Sequence, residues 1–271
     1  MLSLTFCVAG CYAFAVSANN GTLTIAVASN FRSTMQDLQF EFKTNNSIPL
    51  RITYGSSGKL ATQIRYGAPF DVFLSADQHR IQQLDSLGLI LDSSQHSYAL
   101  GRLALWSPQI KNLENGHILT NTNRKRLAIA NAKLAPYGQA AHDVLETLGI
   151  KGRSETLKII EGENIAQTFQ FAVTGNCDFA FIAYSQWLTL DRQRKANSSY
   201  WLVPESKHTA IIQEAAIINH SKHKDSAKIF MQFLRSPSAQ NIITAHGYSK
   251  TNAKPKSSTK PRTSPKIKAN N

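Results

Sequence analysis

The stretch Tyr54-Gly55-Ser56-Ser57-Gly58-Lys59-Leu60-Ala61 gathers two glycines, two serine hydroxyls and a lysine. Such a set suits a nucleotide phosphate loop, a site for another oxyanion, or a tight strand-to-helix turn. A phosphate loop needs four residues between its first glycine and the Gly-Lys pair, then Ser or Thr to hold magnesium. Here only Ser56 and Ser57 separate Gly55 from Gly58, and Leu60 follows the lysine. The loop is too short to wrap a polyphosphate, and it lacks the magnesium ligand. A small anion or a plain turn remains. Lys59, inside the following helix, is expected to point to solvent.

Three other junctions share this character. Ser29 and Asn30 follow an apolar run, Pro136 and Tyr137 follow Ala135, and Asn164 and Ile165 follow Gly162-Glu163. In open α/β sheets, ligands bind beyond the carboxyl ends of the strands. A helix that starts there presents unpaired N–H groups and the positive end of its dipole. Ser29, Asn30, Ser56 and Ser57 add short polar side chains, and Tyr137 adds a phenol. Asn164 can cap its helix, which leaves the backbone amide of Ile165 facing outward. Each junction alone is ordinary capping; four in one chain point to an anion held by neutral donors.

The elements that must position these residues alternate. Segments 23–28, 50–55 and 71–76 read as strands, the first as a continuous apolar run of the buried parallel kind. Helical patterns follow each, with Met35, Leu38 and Phe42 spaced along one face and Gly67 closing the helix that starts near 58. Further strands are expected at 101–107, 126–132, 156–162, 178–186 and 209–220. Helices are expected at 138–150, 164–175, 224–236 and 236–248. Such alternation predicts an α/β protein with helices on both sheet faces.

Composition narrows the class. Of 271 residues, 42% are hydrophobic, enough for a substantial core. The formal net charge is +13, but seven basic residues and no acid lie from Lys250 onward, leaving +6 for the body. No basic stripe interleaves with aromatics, so nucleic acid is not an expected partner. Residues 250–271 are rich in Lys, Pro, Ser and Thr and read as a disordered, solvated basic tail. The first eighteen residues read as an export signal cleaved before Asn19, with Val16 and Ala18 at the −3 and −1 positions. Cys11, in Val8-Ala9-Gly10-Cys11, offers the alternative of lipoprotein anchoring. After cleavage Cys177 is the remaining cysteine, expected to pack as a small apolar group.

Enzyme readings lack anchors. His220 and His223 stand at a turn with no partner in the sequence, and no Gly-x-Ser-x-Gly elbow occurs. Asp71 and Asp77 flank a strand, where opening the strand and capping a helix are the expected roles. No cofactor is expected.

The order of 25–38, 54–84, 131–141 and 162–186 resembles the molybdate-binding proteins of bacterial ABC transporters, over about residues 23–248. The block Ser56-Ser57-Gly58 through Ala76-Asp77 is its most specific part. The resemblance implies a two-lobed periplasmic binding-protein fold, each lobe a mostly parallel sheet flanked by helices. It divides the chain into lobe I (19–101 with 206–249) and lobe II (102–205), with crossings near 99–102 and 203–208 as a hinge. It implies a monomer that delivers molybdate, and also tungstate, to a membrane permease. Carried over, the ligand residues are Ser29, Ser57, Tyr137 and Ile165, with Asn30 adding a contact. Some members use a tyrosine from a later strand, which aligns with Ala183; adjacent Tyr184, like Ser56, is a secondary candidate. A carrier of sulfate or phosphate is the alternative within the class. An oxyanion-processing enzyme and a surface-binding protein stand outside it.

Overall fold

The computed structural model describes residues 21–111, 113–120, 125–150 and 157–251. The export signal with Cys11, and the tail beyond residue 251, lie outside the described residues.

The chain opens with β1 (Leu23–Ala28), a short 3₁₀ turn (Ser29–Phe31), α1 (Arg32–Asn45), β2 (Leu50–Gly55), α2 (Ser57–Arg65), β3 (Val72–Ser75), α3 (Gln78–Ser86) and β4 (His96–Gly101). It continues through β5 (Leu103–Ser107), a 3₁₀ segment (Glu114–Leu119), β6 (Lys125–Ala130), α4 (Pro136–Thr147), β7 (Leu157–Gly162), α5 (Ile165–Val173) and β8 (Phe179–Ala183). Then come α6 (Tyr184–Leu188), α7 (Arg192–Asn197), β9 (Ser199–Leu202), a 3₁₀ turn (Glu205–Lys207), β10 (Ile211–Ile217), α8 (Lys224–Arg235) and α9 (Pro237–Ala245).

Two five-stranded sheets result, ordered β2-β1-β3-β10-β4 and β7-β6-β8-β5-β9. In the first, β1 pairs in parallel with β2 and β3, while β10 runs antiparallel between β3 and β4. In the second, β6 pairs in parallel with β7 and β8, while β5 runs antiparallel between β8 and β9. Within each sheet all strands but one therefore share a direction. The single reversed strand is the first to arrive after the chain changes sheets. It does so between Gly101 and Leu103, and again between Leu202 and Ile211.

Burial explains the alternation. β1, β3 and β8 are apolar along nearly their whole length and are covered on both faces. On α1, Met35, Leu38 and Phe42 have no exposed surface and pack with Phe230 of α8. Each such side chain stabilises the fold by about 1.5–3 kcal/mol. Cys177 is buried as expected, and burial pushes its thiol up to about 11.

Some elements differ from the sequence reading. The strand read to run on to Gln186 stops at Ala183, and Tyr184 opens α6, with Gln186 Oε1 accepting from Ala183 N at 2.9 Å. β4 and β9 carried no clean strand pattern. β4 contains a bulge, because Gln213 pairs with Ala99 but Glu214 pairs with Ser97, leaving Tyr98 as the extra residue. A bulge breaks the two-residue alternation by which a strand is read.

Candidate functional site

The site is built at the carboxyl ends of both sheets. One apolar cluster contains Ala28 and Ala76, from the ends of β1 and β3, together with Ala135, Tyr137, Ile165 and Ala183 from the second unit. The four junctions singled out in the sequence therefore converge on a common floor between the two units.

Each junction is shaped locally. At the first, β1 gives way to the 3₁₀ turn that holds Ser29 and Asn30, both nearly buried. At the second, Ser56 caps α2 by accepting from Lys59 N at 3.4 Å, so its side chain is spent on the helix. Ser57, 1% exposed, accepts from Ala76 N at 3.0 Å through its hydroxyl oxygen. With a lone pair so engaged, the Ser57 proton is free to donate elsewhere. At the third, Pro136 takes the first helical position and places Tyr137 in the first turn of α4. At the fourth, Asn164 Oδ1 accepts from Ala166 N at 3.0 Å and Gln167 N at 3.1 Å. The cap serves those two amides, and the N–H of Ile165, ahead of them, keeps its place at the open end of the helix.

Tyr137 is 1% exposed, and its hydroxyl has no hydrogen-bond partner among the described residues. Burial, with the neighbouring phenols of Tyr248 and Tyr98, holds its pKa well above the ordinary tyrosine value. The phenol therefore stays protonated and able to donate.

Asn30 is placed differently from the expectation of a side-chain contact. Its Nδ2 donates to Gln213 Oε1 at 3.0 Å and to Tyr248 Oη at 3.1 Å. An amide nitrogen carries two hydrogens, and both are engaged. The Asn30 carbonyl accepts from Tyr248 Oη at 3.0 Å and from Ser185 Oγ of the second unit at 3.3 Å. Tyr184 also turns elsewhere. Opening a helix rather than ending a strand, it packs against Trp187 and Tyr200, under the Arg102 guanidinium and beside Gly247. It is not brought to the floor beside Tyr137.

The rim of the cleft is made of other groups. Lys59, its side chain 51% exposed, faces solvent as read and also pairs with Glu163 of the second unit at 2.6 Å. Gly58 N donates to Leu134 O at 2.9 Å, an approach that leaves only 3.1 Å between an added Cβ at 58 and the Leu134 backbone. The Arg80 guanidinium donates to Lys133 O at 2.8 Å. The two units are thus in direct contact, with charge at the rim and neutral donors on the floor.

Gln213, Tyr98, Tyr248 and Ser185 are among the buried polar residues that the junction reading missed. The sequence did carry one signal: Gln213-Glu214 interrupts the apolar run of β10, and a polar pair there requires buried partners. The other candidate polar groups brace the fold. Asp71 accepts from Thr24 N at 2.7 Å and from Ser221 Oγ at 2.6 Å, and His223 Nδ1 faces it at 3.3 Å. Asp77 caps α3 by accepting from Arg80 N at 2.9 Å.

Two similar α/β units that close over a floor of neutral donors define a protein that captures a ligand between them. The profile described as bacterial extracellular solute-binding protein matches residues 23–249, and the chain belongs to that family. It is a solute-binding protein rather than an enzyme. The molybdate-binding protein ModA of Rhodobacter capsulatus is 35% identical over 234 residues, covering 86% of this chain and 90% of that protein. ModA of Azotobacter vinelandii is 35% identical over 235 residues, covering 86% and 92%. The solved Azotobacter vinelandii periplasmic molybdate-binding protein superposes with a TM-score of 0.78 at 32% identity, covering 85% of this chain and 100% of that one.

Proposed function

We propose that this chain is the substrate-binding component of an ABC importer for molybdate, working in the periplasm as a monomer and delivering to a membrane permease. Residues 19–101 with 206–249 form one lobe and 102–205 the other. The ligand sits between them, held by the hydroxyls of Ser29, Ser57 and Tyr137 and by backbone amides at the four junctions, Asn30 and Ile165 among them. Tungstate, of the same charge and shape, is a second ligand. No cofactor takes part.

The observation that carries this reading is the donor-only floor. Molybdate at neutral pH bears no proton, so it accepts hydrogen bonds and donates none. The described floor residues offer hydroxyl and amide hydrogens, while the carboxylates Glu163 and Asp77 are held at the rim by Lys59 and Arg80. Hydrogen bonds to a charged partner contribute about 1.5–3 kcal/mol each, so several together support sub-micromolar binding after the entropic costs of association. Closure brings the second lobe's donors to the first lobe's, so the ligand favours the closed state. Phosphate, which keeps a proton near neutrality, lacks an acceptor carboxylate here, and sulfate is distinguished by its smaller size.

Calorimetric titration of the full chain with molybdate, tungstate, sulfate and phosphate tests the proposal. One-to-one binding of the first two, with the others far weaker, is expected. Binding of sulfate or phosphate in preference to molybdate refutes the ligand while leaving the fold intact.

A further inference from the structure

We propose that Gln213 is a specificity-determining positioning residue: its amide nitrogen backs the Tyr137 hydroxyl as a donor, directing that hydroxyl's proton to the ligand and restricting the site to fully deprotonated oxyanions. The inference rests on the oxyanion reading above.

Gln213 has no exposed surface. Its Oε1 is saturated by two donors, Asn30 Nδ2 at 3.0 Å and Tyr98 Oη at 2.9 Å. That fixes the amide's orientation and leaves Nε2 on the opposite side, where it has no partner among the described residues. The Tyr137 hydroxyl is likewise buried and, with the Asn30 side chain beside it, has no partner in hydrogen-bonding geometry among the described residues. Both lie over Gly101: a Cβ built there would meet Tyr137 Oη at 2.4 Å and Gln213 Nε2 at 3.0 Å. A glycine at the point where the chain changes sheets thus makes room for two polar groups from different units. The bulge at Tyr98 contributes by setting that phenol against Gln213 Oε1. Bulges commonly re-aim side chains next to functional sites.

The chemistry follows from donor and acceptor counting. A phenol that gives its one proton to a ligand still has lone pairs to satisfy, and in a buried site these need a donor. Asn30 Nδ2 also lies beside the phenol, but its two hydrogens go to Gln213 and Tyr248, which leaves Gln213 Nε2 as the donor at hand among the described residues. Were an acceptor placed there, the phenol's proton would turn inward and its lone pairs would face the anion. The other titratable groups near Gln213 are Tyr98 from β4 and Tyr248 beyond α9, phenols that burial keeps protonated. Glu214, next in β10, accepts from Gln78 Nε2 at 2.6 Å, and Asp77, toward Tyr98, is paired with Arg80. The neutral Gln78 and Ser97 thus bond the Glu214 carboxylate, and Arg80 offsets Asp77, whose charge still reaches Tyr98.

The test is titration of the full-length protein, wild type and Gln213→Glu, with molybdate at about pH 8 and about pH 5.5, either side of a raised glutamate pKa. Wild-type affinity is expected to be equal at the two values. Gln213→Glu keeps the shape but replaces the donor with an acceptor that is charged at the higher pH. It is expected to bind about a hundredfold more weakly at pH 8 and to recover about tenfold or more at pH 5.5, when the carboxyl is protonated. A variant that binds like wild type, or that is equally weakened at both pH values, overturns the proposal. Should Gln213→Glu not fold, a cycle of Gln213→Met with Tyr137→Phe decides. Gln213→Met is expected to weaken binding about tenfold in the wild-type background and hardly at all when the phenol is already gone. Additive losses overturn the proposal. If wild type binds no molybdate, the oxyanion reading fails and this inference with it; wild-type binding with unaffected variants removes the inference alone.

Discussion

At the rim of the cleft the two units meet through charge, and at its floor through neutral groups. Lys59 and Glu163 pair at 2.6 Å with side chains 51% and 41% exposed, a setting in which water screens most of the attraction. Asn30, Gln213, Tyr248 and Ser185 link the same units through hydrogen bonds in a region with almost no solvent exposure. There each bond is electrostatically stronger, and each unmet donor or acceptor is more costly. The contrast separates two jobs. On the proposed function, exposed ion pairs adjust how readily the units meet, whereas the buried neutral groups determine what can be held between them. A formal charge on the floor would fix the ligand's charge by attraction alone; neutral donors also test for the absence of a proton.

Substitutions on the floor and the rim should therefore differ in scale. Tyr137→Phe removes the buried phenol donor and is expected to weaken molybdate binding by about thirtyfold to a hundredfold, as for a lost hydrogen bond to a charged partner. Calorimetry checks it, and a change below threefold would remove the phenol from the site. In the wild type, the same phenol predicts affinity that holds steady from about pH 6 to pH 9, because burial raises its pKa well above the ordinary value near 10. The bond is lost only as pH rises through that elevated pKa. An affinity that declines between pH 7 and pH 9 would contradict this.

Ser57→Ala deletes a hydroxyl already oriented by Ala76 N and is expected to cost more than about tenfold. An unchanged dissociation constant would show that the Ser57 hydroxyl spends its bond on Ala76 alone. At the rim, Gly58→Val crowds the Leu134 backbone of the facing unit. It should reduce affinity about fivefold by making closure less favourable, without altering the order of ligand preference. A change in that order would place Gly58 in the site itself. Smallest of all, Lys59→Met should stay within about twofold, because the pair it breaks is exposed. A loss as large as that of Ser57→Ala would erase the distinction between rim and floor.

The sequence announced the floor better than the rim. The junctions that hold Ser29, Ser57, Tyr137 and Ile165 were legible because strand-to-helix turns use small, polar and proline residues whose local roles are fixed by capping geometry. Asn164 caps as read, and Pro136 starts its helix as read. Lys59 is solvent-facing as read, but its pairing with Glu163 was not legible, because that contact exists only once two sheets are assembled. Asn30 stands at the junction where it was read, but the bonds of its side chain to Gln213 and Tyr248 were not legible, since those residues are distant in the chain. Tyr184 is turned aside for a local reason: the strand read to run on to Gln186 stops at Ala183, and Tyr184 opens a helix instead. Two mostly parallel sheets were foreseeable from the alternation of elements, whereas β4 was hidden by its own bulge.

The amide N–H at Ile165 has a consequence for inheritance. Every amino acid except proline carries that donor, so nearly any codon at position 165 transmits it unchanged. Ile165→Val, for instance, should leave affinity within about twofold, as volume-conserving apolar changes usually do. Lineages of this protein can therefore vary the visible letter at such a position while the donor persists. Shifts in ligand preference should arise instead from insertions and deletions in the segments that space the helix starts, such as 131–135 and 162–164. Comparing loop lengths across relatives would then separate specificities better than comparing residue identities at the junctions.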